Sequence, residues 1–581
     1  MGKQHFSRYR LYPAFVAGAL ALAGCTDGDF SFDNIDATMG FGGDSLVIPN
    51  SSTENIQLKD VLELEHDGSV ELDGEDNYVF KLAGADAALA KPLVEKIKLN
   101  PVKSTSQTIY VPAVTGEIKP ITVATYEYHG SSSEVMELDN VTTYETPFKL
   151  TFNFPSDLSK HVSIKTMTIN MPGYLMIGKN ITATSGIANF NKDNNTLTLN
   201  NVNTTSPLVI NIPVMGANFK GTDTSLGKLG EIKNGKIDLN GELKIGFHTQ
   251  AVETSANNYK ISLGMDLPQL TITKATGRFN PKINITDFGS VSVNGVPDFL
   301  SDGNVKVDLY NPQILITVNN DMDMAATITK AKITSGKYGS TLATVSLPNI
   351  NIHKNSVTKI CVCRKKTDDL TKLYGAENVY AVPNLSDIVY TIPDIVRIDG
   401  IEVKADTTQA GTIELGKQYN VKPSYKVNAP LAFSENASIV YTDNLDGWND
   451  DIKDIDLSEK TYLLLTGDAE SKLPMYLTVG VKPIDVNGKD ISGKINVEIP
   501  NKVIGSSDGE TPAKSNVIIK VTQKEKGAFK ELDGIKFTVT GSAKTDGNSP
   551  IEGITLNASK HTLKLSNIKV KLVGTVIADF N

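Results

Sequence analysis

Residues 236–247 read KIDLNGELKIGF. Ile237 and Leu239 alternate with polar neighbours before Asn240-Gly241, and Leu243 and Ile245 do so after it. Alternation at period two marks a half-buried β-strand, and Asn-Gly tolerates the positive φ of a hairpin turn. A two-residue loop would set Leu239 against Glu242. A three-residue loop sets Leu239 against Leu243 and Ile237 against Ile245, which keeps the apolar face together. The stretch is expected to be a hairpin, and the chain around it all-β.

The same signature recurs. FKLTFNF (148–154), SIKTMTIN (163–170), NTLTLNNV (195–202), PLVINIPV (207–214), ILITV (314–318), MYLTVGV (475–481), NVIIKVT (516–522), KFTVTGSA (536–543) and LKLSNIKVKLVGTV (563–576) are short alternating runs rich in Thr, Ile and Val, as antiparallel strands are. Asn-Gly at 234–235, 240–241, 294–295 and 487–488 and Asp-Gly at 302–303, 446–447, 508–509, 533–534 and 546–547 punctuate them. An aliphatic residue precedes proline at Ile48-Pro49, Ile212-Pro213, Leu267-Pro268, Leu347-Pro348, Ile392-Pro393 and Ile499-Pro500. Proline cannot donate to a ladder, so these positions are expected at strand ends, edges or bulges. The spacing is too uneven for a solenoid or propeller. Helix signals are few: TDDLTKLYGAE (367–377), with a Thr367 cap and a Gly375 stop, and shorter turns at 58–64 and 297–302.

The expected architecture is a series of tandem β-sandwich, immunoglobulin-like domains. It divides into a leader at 1–24, an acidic tether at 25–43, β domains at 44–130, 135–288 and 289–398, and a C-terminal sandwich at 399–581. The boundaries follow the Gly40–Gly43 region, HGSSSE (129–134), Gly289 and Asp399. A chain of 581 residues has room for about three to five domains of ordinary size.

At the beginning of the chain Lys3, Arg8 and Arg10 precede an apolar run from Leu11 to Ala23. That run is too short to cross about 30 Å of hydrocarbon and fits a secretory signal. Leu22-Ala23-Gly24-Cys25 resembles the lipobox of bacterial lipoproteins, which implies cleavage before Cys25 and a covalent lipid on its thiol. Two or more acyl chains anchor a protein stably where one does not. Asp27, Asp29, Asp33 and Asp36 follow. They resemble, more sparsely, the acidic export signal of surface lipoproteins in the Bacteroidota. Three further stretches, 277–320, 430–452 and 556–581, resemble large β-rich lipoproteins of that group. Asn311-Pro312 with its following strand resembles the Asn-Pro signature of water-stress immunoglobulin-like domains. These resemblances imply an outer-membrane lipoprotein facing the cell surface, with the periplasmic face as the alternative.

A net charge of −9 repels phosphate backbones, so nucleic acid is not an expected partner. The histidines are scattered, and no His-Glu-x-x-His, Walker, Gly-x-Ser-x-Gly or Rossmann pattern is present. The expectation is a non-enzymatic binding or scaffold subunit of a cell-surface complex with an outer-membrane β-barrel or other lipoproteins, such as a β-barrel assembly or nutrient-uptake machine. A glycan-binding or adhesive role is the alternative. No cofactor is expected beyond the lipid on Cys25.

Two internal features stand out. Asp443, Asp446, Asp450 and Asp451 gather around Trp448, the single tryptophan. The spacing is not that of an EF-hand. A solvated loop anchored by Trp448 is the plainer reading, with Ca²⁺ binding or an interaction hot spot at Trp448 as alternatives. Cys361 and Cys363 share one face of a strand. They read as small buried hydrophobes, with a strained disulfide or a metal pair as the alternatives.

Overall fold

The computed structural model describes residues 45–47, 56–60, 64–83, 90–220, 235–253, 257–283, 285, 290–296, 300, 304–449, 453 and 457–574. Over these the chain is all-β, arranged in six sheets. Two short α-helices, Leu158–His161 and Asp369–Tyr374, interrupt the strands. Each strand signature quoted above falls within or overlaps a strand.

The first core lies between a nine-stranded and a five-stranded sheet. The nine-stranded sheet runs in the order Leu175–Ile177, Leu208–Asn218, Val135–Asn153, Asn258–Leu267, Val102–Pro112, with Leu270–Phe279 added along Val135–Asn153. The five-stranded sheet runs Ile187–Asn191, Thr196–Asn200, Val162–Asn170, Lys236–Ala251, Gly116–Ser131. Leu150, Ile210 and Ile261 from one and Ile169, Leu197 and Ile245 from the other are fully buried in a common core. Fully burying such a side chain contributes about 1.5–3 kcal/mol, so this interior outweighs any single polar contact in the sandwich.

The second core is continuous across the other four sheets, from Leu58 to Leu565. One of these sheets contains a parallel pair, Ser356–Cys363 with Asn378–Ala381. Parallel neighbours need a crossover, and Asp369–Tyr374 supplies it. That helix ends at Gly375, whose φ of 59° is the left-handed C-cap, as the sequence predicts.

The Asn240-Gly241 hairpin is corrected. Lys236–Ala251 is one unbroken strand, with Asn240 opposite Glu127 and Gly241 opposite Tyr126. Ile237, Leu239, Leu243, Ile245 and Phe247 all face the core. The apolar phase passes through Asn240-Gly241 without a break, so a straight strand buries the same side chains as a hairpin would, with a full ladder on Gly116–Ser131. Other Asn-Gly and Asp-Gly sites do turn: Gly235, Gly295, Gly447, Gly488, Gly509 and Gly547 all have positive φ. Ile212-Pro213 is also inside a strand, with Pro213 opposite Pro147 beside a register shift.

The expected domain divisions do not separate the sheets. Strands of 44–130 enter four of them: Ser45–Val47 pairs with Thr562–Val573, Tyr78–Ala83 with Val421–Pro430, Val102–Pro112 with Asn258–Leu267, and Gly116–Ser131 with Lys236–Ala251. The segment 129–134, expected as a linker, closes the connection between two long strands of one core. Glu134 is buried there against Lys282 at 3.0 Å. Gly411–Glu414 likewise crosses back to pair with Leu270–Phe279.

Candidate functional site

Between the sheets of the first core is an apolar cavity with a volume of about 90 Å³. Leu239, Leu243, Val141, Phe148, Val214 and Met171 are among its apolar lining. The backbone explains why the space is not filled. Two register shifts, at Val214/Gly216 and Leu243/Lys244, fall on lining residues, and bulges bend a strand away from its regular path. Ala124, Gly216, Ala217 and Gly241 line the same space with little or no side chain. Gly241 is required where the loop after Val162–Asn170 crosses the strand. A Cβ there would stand 2.6 Å from both Pro172 Cγ and Tyr174 Oη.

It is a half-open cleft and not a sealed void, so the cost of an enclosed empty cavity does not apply to it. Its volume exceeds the ~10–15 Å³ that one water needs, but a water also needs two to four polar partners. The polar groups here are few, and most are spoken for. Tyr126 Oη donates to the Asn100 carbonyl at 3.3 Å, and Thr143 Oγ1 donates to the Tyr144 carbonyl at 3.0 Å. Glu242 accepts from Lys244 Nζ at 2.9 Å and from Thr122 Oγ1 at 3.4 Å. That Lys244 contact holds the Glu242 carboxyl below its ordinary value, so it is ionised at neutral pH. Burial, then the neighbouring Tyr128, pushes Tyr126 up to about 12. Burial and Tyr126 raise Tyr174 as well. Both phenols are therefore neutral donors at physiological pH. Tyr174 is 5 % exposed, and its hydroxyl meets no hydrogen-bond partner among the described residues.

Cys25, Asp450 and Asp451 lie outside the described residues. Asp443 sits on the strand Ser438–Leu445 opposite Phe537, and Asp446 is exposed just beyond it. Among the described residues no three His, Cys, Asp or Glu side chains come together as a metal cluster. Trp448 is half-buried against the second core. Its backbone N–H donates to the Asp533 carbonyl at 2.7 Å, and Asn449 N–H donates to Asp533 Oδ1 at 3.1 Å. The loop is thus pinned to the turn before Gly534–Ser542. Cys361 and Cys363 are buried free thiols packed with Leu370, Ala376 and Val379 beneath the crossover helix. Burial, then Cys363, pushes the Cys361 thiol up to about 12, and burial raises Cys363.

The cavity was not anticipated from the sequence. Its traces there are Gly216 and Gly241 within apolar strands and the MPGYL run at 171–175, and glycine inside a strand often marks a bulge or a close approach.

No protein-family model and no curated protein matches the chain. Among solved structures, it is similar to a Parabacteroides distasonis protein described as secreted, at 15% identity and a TM-score of 0.36, over 52% of this chain and 83% of that one. Among the described residues no helix is long and apolar enough to cross a membrane.

Proposed function

We propose that the protein is a non-enzymatic binding subunit, held at the outer membrane by lipid on Cys25 and facing the cell surface, in complex with a β-barrel or other lipoproteins. The observation that carries this reading is the Leu22-Ala23-Gly24-Cys25 leader set before an all-β body. The root of the tether supports it. The strand Ser45–Val47 pairs with Thr562–Val573, so a pull on the tether is borne by a ladder inside the C-terminal sheet. Gentle detergent extraction with a tag at Asn581, followed by mass spectrometry, tests the reading. Stoichiometric recovery of a barrel protein supports it, and isolation as a lone monomer sinks it. Cys25→Ala is expected to move the protein into the soluble fraction. Protease treatment of intact cells reads the face: complete protection means the periplasmic side.

One feature favours glycan binding as the second reading. Tyr338 is 88 % exposed at the tip of the hairpin joining Ala326–Lys337 to Ser340–Ser346. The two-residue loop Tyr338-Gly339 has φ of 49° and 77°, a conformation uncommon for a bulky residue. Asp394 Oδ2 accepts the Tyr338 N–H at 2.8 Å and holds the turn. Strain held in place by neighbouring structure is a pointer to function, and a displayed ring is a stacking platform for sugar. A glycan array run with wild type and Tyr338→Ala decides it.

A further inference from the structure

We propose that one end of the C-terminal sheet seats in the headgroup region of an anionic membrane, with Tyr462, Leu464 and Ile518 at the headgroup–acyl boundary and Lys520 and Lys571 on lipid phosphates. The inference rests on the reading that lipid on Cys25 anchors the chain, and adds to it the face that the body turns toward the lipid.

The sheet runs Ser45–Val47, Thr562–Val573, Tyr462–Ser471, Ala513–Gln523, Ile495–Glu498. Its outward face changes character along the strands. At one end Glu470 lies between Lys514 and Lys564, and Asp468 between Asn516 and Ser566. These polar groups satisfy one another. Lys514 Nζ meets Glu470 at 3.2 Å, and Asp468 accepts from Asn516 Nδ2 at 2.9 Å and from Asn567 Nδ2 at 2.6 Å. At the other end the run Tyr462-Leu463-Leu464-Leu465 breaks the period of two. Leu463 and Leu465 pack against the second core, so Tyr462 and Leu464 are on the opposite face. Ile518 shares that face, opposite Thr466. All three are half-buried, and neither core includes them. A strand apolar on both faces is normally covered on both.

Three observations select a membrane as the cover. The first is charge. Lys520 and Lys571 flank Leu464 on its two neighbouring strands, and neither forms an ion pair among the described residues. Glu498, across from Lys520, accepts from Asn496 Nδ2 at 3.0 Å instead. In a chain of net charge −9, two free cations beside an apolar strip complement phosphate. The second is side-chain type. The Lys520 ammonium lies over the Tyr462 ring at 4.8 Å, and lysine and tyrosine both place an apolar body in lipid and a polar tip in water. The third is position. Ser45 is opposite Val573 and Val47 opposite Lys571, so the tether enters this end of the sheet. An anchor there holds the face at high local concentration, and a weak contact suffices.

The test places the lipidated full chain on phosphatidylethanolamine vesicles, with or without phosphatidylglycerol, and follows lysine acetylation by mass spectrometry. The chain is expected to float with both vesicles. Phosphatidylglycerol should slow labelling of Lys520 and Lys571 about fivefold, with Lys514 at the polar end unchanged. About 1 M salt, where the Debye length is about 3 Å, should restore the rate. Leu464→Asp should restore it without salt, and Ile518→Thr serves should that variant fail to fold. A chain that floats but labels equally on both vesicles overturns this proposal and leaves the anchor standing. So does protection of Lys514 equal to that of Lys520, or protection that survives both salt and the substitution. Protection already present in a detergent extract of whole membranes shows a protein on this face and overturns the proposal too. A chain that does not float overturns both readings.

Discussion

Protonation of His561 should unfasten the N-terminal strands from the C-terminal sheet. His561 is 2 % exposed, and its Nδ1 accepts the Asn557 N–H at 2.9 Å, so the proton of the neutral ring is on Nε2. The backbone around it is the fastening. Leu58 N–H donates to the His561 carbonyl at 3.0 Å, Lys59 N–H to Ala558, and Tyr78 N–H to Leu556 at 2.9 Å. Asn557 Nδ2 reaches the Glu75 carbonyl at 2.8 Å and Asn77 Oδ1 at 3.0 Å. Burial first, and then the charge of Lys560, lower the histidine from its ordinary 6.5 to about 4. The folded form thus favours the neutral ring. Its contribution is complete above pH 6.5, declines as the unfolded state takes up the proton, and is gone below pH 4. A shift of that size corresponds to about 3 kcal/mol, and partial solvent screening brings the expectation to about 2 kcal/mol, roughly a 30-fold change. Hydrogen exchange at Leu58 and Tyr78, corrected for the intrinsic pH dependence, is the assay. Protection should fall by that factor between pH 7 and pH 4 in wild type. In His561→Gln it should start lower and stay nearly flat relative to wild type. Parallel pH profiles for the two proteins would refute the reasoning.

Three other outcomes are expected. Gly241→Ala drives a Cβ to 2.6 Å from Pro172 Cγ and Tyr174 Oη. It should destabilise the first core by about 1–3 kcal/mol, read as a shift in its denaturant midpoint. Arg364→Met strips the cation from Asp308, a carboxylate only 4 % exposed, which Arg364 Nη1 meets at 2.6 Å while also donating to Ser434 Oγ at 3.1 Å. Leaving that charge unpaired should cost about 3–5 kcal/mol, whereas Arg364→Met combined with Asp308→Leu should recover much of the loss. Cys361 and Cys363 should resist a thiol reagent in the native protein and react fully in denaturant. Rapid native labelling would contradict their burial.

Much of the local structure was legible because it depends on neighbours in sequence. Alternation in PLVINIPV and MYLTVGV gives strands whose inward residues are the buried ones. The TDDLTKLYGAE run does give a helix that ends where Gly375 says, but the expected Thr367 cap is corrected: the N-cap is Asp368, with no side-chain capping hydrogen bond. The Asn240-Gly241 reading failed for a reason visible in the same residues. A turn dipeptide permits a turn without requiring one, and the phase of Ile237, Leu239, Leu243, Ile245 and Phe247 runs on through it. Both arrangements bury these five side chains, and the full ladder of the straight strand on Gly116–Ser131 outweighed a local turn preference of about 1 kcal/mol.

What the sequence withheld is the identity of each strand's partner. A period-two pattern says that one face is buried, and nothing in it says against what. Ser45–Val47 could have joined any open edge, yet it pairs with a strand more than five hundred residues away. Boundaries drawn from composition therefore divided sheets that the chain closes through distant strands. The cavity escaped for a related reason. It arises from two register shifts in different sheets and from small residues at Gly216, Ala217 and Gly241 that become neighbours only after those strands have paired. Each shift alone looks like an irregular strand, and each glycine alone looks like a turn. Only their coincidence leaves a volume that the core does not fill.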